Sequence, residues 1–294
     1  MAATYNDLYM DARKALKGAG VEQAQLEARE LLCLASGKSR EEFLRDLTLY
    51  ASDGVEGKFR TLLDRRLKGE PVAYLIGEWE FYGLTLDVCR DVLIPRPDTE
   101  TLVDRGILHV RDMPDGTRVL DLCAGSGCVG LAIAESCPNT YVILAEWSED
   151  ALRVCRQNIR RCELTQQVNP VQADALEPPP RLLRDFDLIL CNPPYIPTLE
   201  ITRLDPSVRD YEPRMALDGG EDGLKFYRAI TKKWKCALKP GGKLAFEVGH
   251  DQAAAVRAIM AEQGFVDIRT TMDPGLHWRV VEGSVEESEN EKMV

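Results

Sequence analysis

Apolar positions recur at helical spacing through roughly the first 70 residues. Leu8, Ala12 and Leu16 stand four apart, and Leu26, Leu31, Leu32 and Leu34 form a second stripe that stops at Gly37. A third helix is expected after Ser39. Serine suits a cap there, Glu41 and Glu42 suit a first turn, and Phe43, Leu44 and Leu47 supply an inward face. A fourth is predicted from about Gly54 to Leu67, closed by Gly69. Such a succession implies a small helical bundle over residues 1–70.

Beyond Gly69 the period becomes that of strands. Residues 72–76, 80–82 and 84–88 are short β-type runs separated by Gly77 and Gly83, which predicts a hairpin within a linker spanning 71–98. Pro95 and Pro97 force an extended path at its end. From Thr99 a helix leads into alternation, with strands at 118–123, 141–146, 169–173, 186–191 and 243–248 and helices near 128–136, 149–162 and 222–238. The fold expected over 99–282 is therefore α/β, a mainly parallel sheet covered on both faces. Two late runs, 265–270 and 278–282, can add an antiparallel edge. After them periodicity ends. The last thirteen residues carry five acids and one lysine, and 283–294 reads as a solvated, disordered tail.

Composition narrows the functional classes. The chain has 294 residues with 37 Lys plus Arg against 48 Asp plus Glu, a net charge of −11. That balance argues against gripping nucleic acid through phosphates. No apolar run approaches the ~18 residues of a membrane span. The N-terminus has neither the basic start nor the apolar core of a secretory signal, so a cytoplasmic protein is expected. Nine cysteines are scattered without a C-x-x-C pair and the three histidines lie far apart, so reduced thiols and no metal are expected.

The candidate chemistry begins at 119–130, where Asp121, Cys123, Ala124, Gly125, Ser126, Gly127 and Gly130 leave a strand and open a helix. Glycines there let the backbone turn and approach a nucleotide closely. Glu146 ends the next strand nineteen residues after Gly127, where a carboxylate can take both ribose hydroxyls. These features suit a nicotinamide or an S-adenosylmethionine enzyme. Asp121 favours the second, since an acid ahead of the glycines repels a pyrophosphate and attracts the ammonium of a methionine moiety. Asp174, at the end of the third strand, can accept from an adenine amino group beside the Ala175 N–H, or simply cap a turn.

Asn192-Pro193-Pro194-Tyr195 follows the apolar strand 187–191 directly. Sheet crevices bind ligands at the carboxyl ends of strands. Two prolines stiffen the loop and remove two N–H donors. The Asn192 side-chain oxygen and the Pro193 carbonyl can then accept both hydrogens of a planar –NH2 group, and Tyr195 offers an aromatic face to that group or to a sulfonium. An amide is a poor nucleophile, so orientation must supply much of the rate.

This loop resembles that of the amino-methyltransferases. Segments 65–77, 80–83, 93–100, 211–223 and 241–249 extend the resemblance over nearly the whole chain to the HemK family of peptide chain release factor N5-glutamine methyltransferases. The resemblance implies a Rossmann-like S-adenosylmethionine domain, an N-terminal helical domain that helps dock a release factor, and the glutamine of its Gly-Gly-Gln loop as target. A sister group that modifies a ribosomal protein shares the loop, but the 96–100 segment resembles the release-factor branch. A nucleic-acid amino-methyltransferase would need a basic or aromatic recognition region, which residues 1–70 lack. The chain departs from the family pattern at 275–279, one residue longer than usual, and at Ala175, where some relatives carry an aromatic that Trp147 can replace. Arg96, Glu247 and His250 stand near the site with roles left open.

Overall fold

The computed structural model describes residues 3–287. The chain divides into two compact units, one comprising the described residues up to Glu78 together with Asp205–Tyr211, the other comprising Trp79–Leu204 and the described residues from Glu212 onward.

The first unit is helical. Helix α1 (Tyr5–Gly18) opens on a reciprocal cap: the Thr4 hydroxyl accepts the Asp7 N–H, and the Asp7 carboxylate accepts the Thr4 N–H. It buries Tyr5, Leu8, Ala12 and Leu16. Helix α2 (Ala24–Ser36) ends at Gly37 in the left-handed region, φ 70°. Its inward face is Ala24, Ala28, Leu31, Leu32 and Ala35, while Leu26 and Leu34 are only half-buried. Helix α3 (Arg40–Arg45) repeats the reciprocal cap with Ser39 and Glu42. Six residues present a single buried face, so Phe43 is inside but Leu44, expected to be, is 59 % exposed. Helix α4 (Asp53–Leu67) is capped by Ser52. Arg66 on α4 pairs with Glu27 on α2 at 2.5 Å.

Residues 72–76 are not a strand. They form the short helix α5 (Val72–Ile76), opened by Pro71 at φ −58° and closed by Gly77 at φ 87°. A five-residue apolar run does not distinguish strand from helix by periodicity. Burial of Val72, Ala73 and Leu75 against the bundle outweighs β-propensity here.

The second unit begins at Trp79, one residue into β1 (Glu78–Phe81), which forms a hairpin with β2 (Leu84–Asp87). Then follow α6 (Glu100–Val110), β3 (Thr117–Leu122), α7 (Cys128–Ser136), β4 (Thr140–Glu146), α8 (Glu149–Arg161), β5 (Val168–Gln172) and β6 (Phe186–Cys191). The chain leaves this unit after Leu204, forms the single turn α9 (Pro206–Arg209) within the first, and returns at Glu212. It continues through α10 (Lys225–Lys233), β7 (Leu238–Glu247), α11 (Ala253–Glu262), β8 (Val266–Met272) and β9 (Trp278–Ser284). Strand β9 runs through Ser284, two residues beyond the predicted boundary. Of the predicted tail, residues 288–294 lie outside the described residues.

Seven strands form one sheet in the order β5-β4-β3-β6-β7-β9-β8. β9 pairs antiparallel with both β7 and β8, and the other pairs are parallel. The expected antiparallel edge is therefore present. The central strands read as unbroken apolar runs because both faces are covered. Leu120, Ile143, Ile189 and Cys191 face one layer with Tyr227, Trp234 and Met260, while Val119, Leu144, Leu188 and Leu190 face the other with Leu102, Leu131 and Ile159. Succession runs outward from β3 to β5 on one side and then restarts at β6 on the other. A crevice opens where the direction reverses, at the carboxyl ends of β3 and β6.

Candidate active site

Past the end of β3 the backbone enters the left-handed region three times in five residues, at Cys123 (φ 66°), Gly125 (φ 55°) and Gly127 (φ 84°). Cys123 and Ala124 both donate their N–H to the Ala145 carbonyl on β4, and Gly127 then starts α7. Gly130 lies in the first turn of α7, where a Cβ would be driven into the Leu144 side chain and lie 3.1 Å from the Asp121 Cβ. Its N–H donates to Asp121 Oδ2 at 2.8 Å. Asp121 is thus anchored from behind while it lines the cavity. Burial raises its pKa to about 7, the Gly130 hydrogen bond opposes this, and the Glu146 charge adds to it.

Glu146 ends β4 with both oxygens engaged: Oε2 accepts the Gly125 N–H at 3.0 Å and Oε1 the Ser148 N–H at 2.8 Å. Each carboxylate oxygen retains a further lone pair for a ligand hydroxyl. Beyond β5, Asp174 Oδ1 accepts the Leu176 N–H at 2.8 Å, so the turn-capping role is real, yet Asp174 also lines the cavity. The Ala175 carbonyl is taken by the indole N–H of Trp234, and Trp147 and Phe226 supply aromatic wall. A single cavity of about 560 Å³ joins these groups to Asn192, Pro194, Arg96 and Thr99. That size suits a nucleoside joined to an amino acid.

Asn192 follows β6 and donates Nδ2–H to Thr99 Oγ1 at 3.3 Å. Of the sequence-predicted site residues, Asp121, Cys123, Ala124, Gly125, Ser126, Glu146, Asp174, Ala175, Asn192 and Pro194 line the cavity. Gly127, Pro193 and Tyr195 do not. Gly127 starts the helix beneath. Tyr195 is drawn back from the cavity, its carbonyl accepting Gln252 Nε2–H at 2.9 Å and its hydroxyl lying 3.4 Å from Glu247 Oε1. Its ring packs on the apolar layer, so the expected aromatic platform is not part of the wall. The loop is held in place by residues 217–220. The Ile196 N–H reaches the Leu217 carbonyl, the Gly219 N–H returns to the Ile196 carbonyl, and Thr198 Oγ1 donates to Asp218 at 2.6 Å. A Cβ at Gly219 would lie 2.7 Å from the Tyr195 Cα.

Arg96 forms an ion pair with Glu212, a residue only 5 % exposed that also accepts the Ile94 N–H at 3.2 Å. His250 is exposed and does not line the cavity. The longer 275–279 segment is absorbed by a turn in which the Asp273 N–H meets the His277 carbonyl and Leu276 takes φ 63°. Arg279 is still buried, with Nη2 at 3.1 Å from Asp273 and 3.0 Å from Asp98. Sequence pattern did not single out Thr99 as more than a helix start, and it missed Met215, Lys225 and Phe226. Met215 comes from a stretch without period, and Lys225 and Phe226 open α10, so only folding brings the three to one wall.

Comparisons with known proteins agree with this architecture. Residues 7–77 match the family model described as PrmC N-terminal domain, and residues 100–203 match Methyltransferase small domain. The chain is 38 % identical over 284 residues to a release factor glutamine methyltransferase of Caulobacter vibrioides, covering 96 % of this chain and 97 % of that one. It is 40 % identical over 268 residues to one from Geobacter sulfurreducens, covering 90 % and 91 %. Among solved structures, the hMettl16 catalytic domain shares the fold at a TM-score of 0.57 and 17 % identity, over 78 % of this chain and 83 % of that chain.

Proposed function

The chain belongs to the release factor glutamine methyltransferase family, and from that premise we propose how its residues carry a methyl group from S-adenosylmethionine to the side-chain amide nitrogen of the glutamine in a release factor's Gly-Gly-Gln loop. The cofactor supplies an electrophilic methyl on a sulfonium. The donor set of the cavity fits it. A buried acid, Asp121, suits the ammonium at one end. Glu146 would take a diol, and Asp174 with Ala175 an adenine edge, in a wall that also carries Trp147 and Phe226. Cys123, Ala124, Gly125, Ser126 and Gly127 form the turn that brings backbone close to the ligand.

The observation that carries the assignment is Asn192. Its Nδ2 is committed to Thr99, which leaves Oδ1 as an acceptor in the wall that also holds Asp121 and Glu146. Oδ1 would accept one amide hydrogen from within the wall; the Pro193 carbonyl, assigned the other, belongs to a residue outside the wall, so Asn192 is the group that orients the amide nitrogen. Pro193 and Pro194 keep the loop rigid, and Tyr195 anchors it from behind. No general base is assigned. As the N–CH3 bond forms, the S–CH3 bond would break and the donor would leave as a neutral thioether; the methylated amide nitrogen is then a strong acid, and water takes its proton.

The helical unit is assigned to docking the protein substrate and residues 71–98 to the linker. Neither nucleic acid nor a membrane is expected as a direct partner. The acidic balance supports the first statement, and no described helix is long and apolar enough to cross a membrane. Release factors work in the cytoplasm, and the enzyme is assigned there.

Transfer of labelled methyl to a purified release factor, beside a copy with its loop glutamine changed to alanine, tests the proposal. Label on the intact factor alone, lost in Asn192→Ala, supports it. Label on duplex DNA or on a ribosomal protein supplied in parallel overturns the substrate.

A further inference from the structure

The carboxyl of Glu247 has no part in the roles assigned above, although it lies at the end of β7 close behind the Asn192 loop. It is 2 % exposed, and its Oε2 has no hydrogen-bond partner among the described residues. Desolvating a carboxyl and leaving one oxygen unpaired is costly, and such groups concentrate where they serve chemistry. Charged and polar groups from several segments interact with it. Asp98 and Thr99 come from the turn before α6, Tyr195 from the loop after β6, Arg279 from β9 and Cys128 from α7. From α10, the Tyr227 hydroxyl donates to the Glu247 carbonyl at 2.9 Å. Burial raises the Glu247 pKa to about 7; the Thr99 hydroxyl, Arg279 and Tyr195 pull it back, and Asp98 adds to the rise.

Thr99, 2 % exposed, accepts the Asn192 Nδ2–H at 3.3 Å, and its hydroxyl is one of the groups that hold the Glu247 pKa down. A hydroxyl both donates and accepts, so alone it would tolerate either orientation of the asparagine amide. Only a neighbour that takes the hydroxyl proton decides the orientation. We propose that Thr99 and Glu247 are positioning residues for the methyl transfer. Glu247 takes the Thr99 proton, the Thr99 oxygen then accepts the Asn192 Nδ2–H, and Asn192 Oδ1 is turned to the target amide. The inference rests on Asn192 being the group that holds that amide. With Glu247 protonated, its O–H is directed at Thr99 and the hydroxyl is free to donate to Asn192 Oδ1. The asparagine then presents donors to a substrate –NH2 that also donates, and the grip is lost. Turnover therefore rises with pH as Glu247 ionises.

The test uses full-length enzyme and intact release factor at saturating cofactor, which removes the titration of Asp121 in the cofactor cavity from the profile. Thr99→Val keeps the shape and deletes the acceptor. It is expected to lower kcat by roughly 10- to 100-fold, the scale of a misplaced reacting group. KM and calorimetric cofactor affinity should stay within about threefold, and Thr99→Ser should restore most of the rate. Wild-type kcat should fall below about pH 7, and Glu247→Gln should flatten that limb, since glutamine accepts from Thr99 at every pH. A Thr99→Val enzyme with wild-type kcat, one that loses cofactor affinity in parallel with rate, or an acid limb unchanged in Glu247→Gln each overturns the inference. A wild-type enzyme that binds cofactor but leaves the release factor unlabelled overturns the functional reading beneath it.

Discussion

Asp121 combines two demands that oppose each other. It is 1 % exposed, and its only hydrogen-bond donor among the described residues is a backbone N–H, yet it is assigned the cofactor ammonium. Its pKa is 3.8 in an ordinary setting and about 7 in the fold, so the folded state resists ionisation. The sign follows from linkage. The folded protein binds the proton more tightly than the unfolded chain, so stability from this group is greatest below about pH 4. It declines as pH rises through the window to about pH 7. Glu247, shifted from 4.5 to about 7, acts in the same direction. Asp121→Asn keeps an oxygen for Gly130 and removes the buried charge. The cofactor-free variant should melt several degrees above wild type at pH 8 but not at pH 4, a gain on the order of 1–3 kcal/mol. Its cofactor affinity should fall about 100-fold, as expected for losing a desolvated charge pair. Equal melting curves at pH 8, or unchanged affinity by calorimetry, would contradict this account.

At the scale of elements, the loop after β6 owes its shape to the segment opposite. Gly219 meets the backbone of Tyr195, not a flexible side chain, so a methyl there cannot be absorbed by a rotamer change. Gly219→Ala should move the Asn192 loop and cut kcat at least about tenfold, with little loss of global stability because 196–220 is irregular. Kinetics paired with a melting curve separates that outcome from general unfolding. The β8–β9 hairpin offers a contrast. Arg279 is the charge partner of buried Asp273, so Arg279→Met leaves a carboxylate without its cation. It should destabilise by roughly 2–3 kcal/mol, seen as faster hydrogen exchange across both strands. These elements differ in how far the sequence announced them. Central strands such as β6 were legible because apolar residues on both faces leave an unbroken run. Helix α11 was not, since Ala253, Val256 and Met260 make too thin a stripe among small and polar residues. Helix α5 reads as a strand in the sequence because burial, not period, decides five residues. The Asn192 loop and the glycine turn stood out through composition. The proposed coupling of Thr99 to Glu247 did not, because 148 positions of sequence separate two ordinary side chains that only folding brings near each other.

For the whole molecule, the division into two units separates two properties that kinetics can measure independently. Every residue lining the cavity belongs to the second unit. Cofactor affinity and the chemical step should therefore be insensitive to damage confined to the helices of the first. Arg66 offers such a lesion. It joins α4 to Glu27 of α2, with side-chain exposures of 13 % and 12 %, so removing it strands a mostly buried carboxylate. Arg66→Ala should destabilise the helical unit by roughly 2–4 kcal/mol. If that unit docks the release factor, KM for the protein substrate should rise severalfold while kcat and cofactor affinity hold. Calorimetry with cofactor, and initial rates across release-factor concentrations, provide both readouts from one preparation. A parallel fall in kcat and cofactor affinity would mean that the helical unit supports the catalytic one directly, and the assignment of docking to it would have to be abandoned.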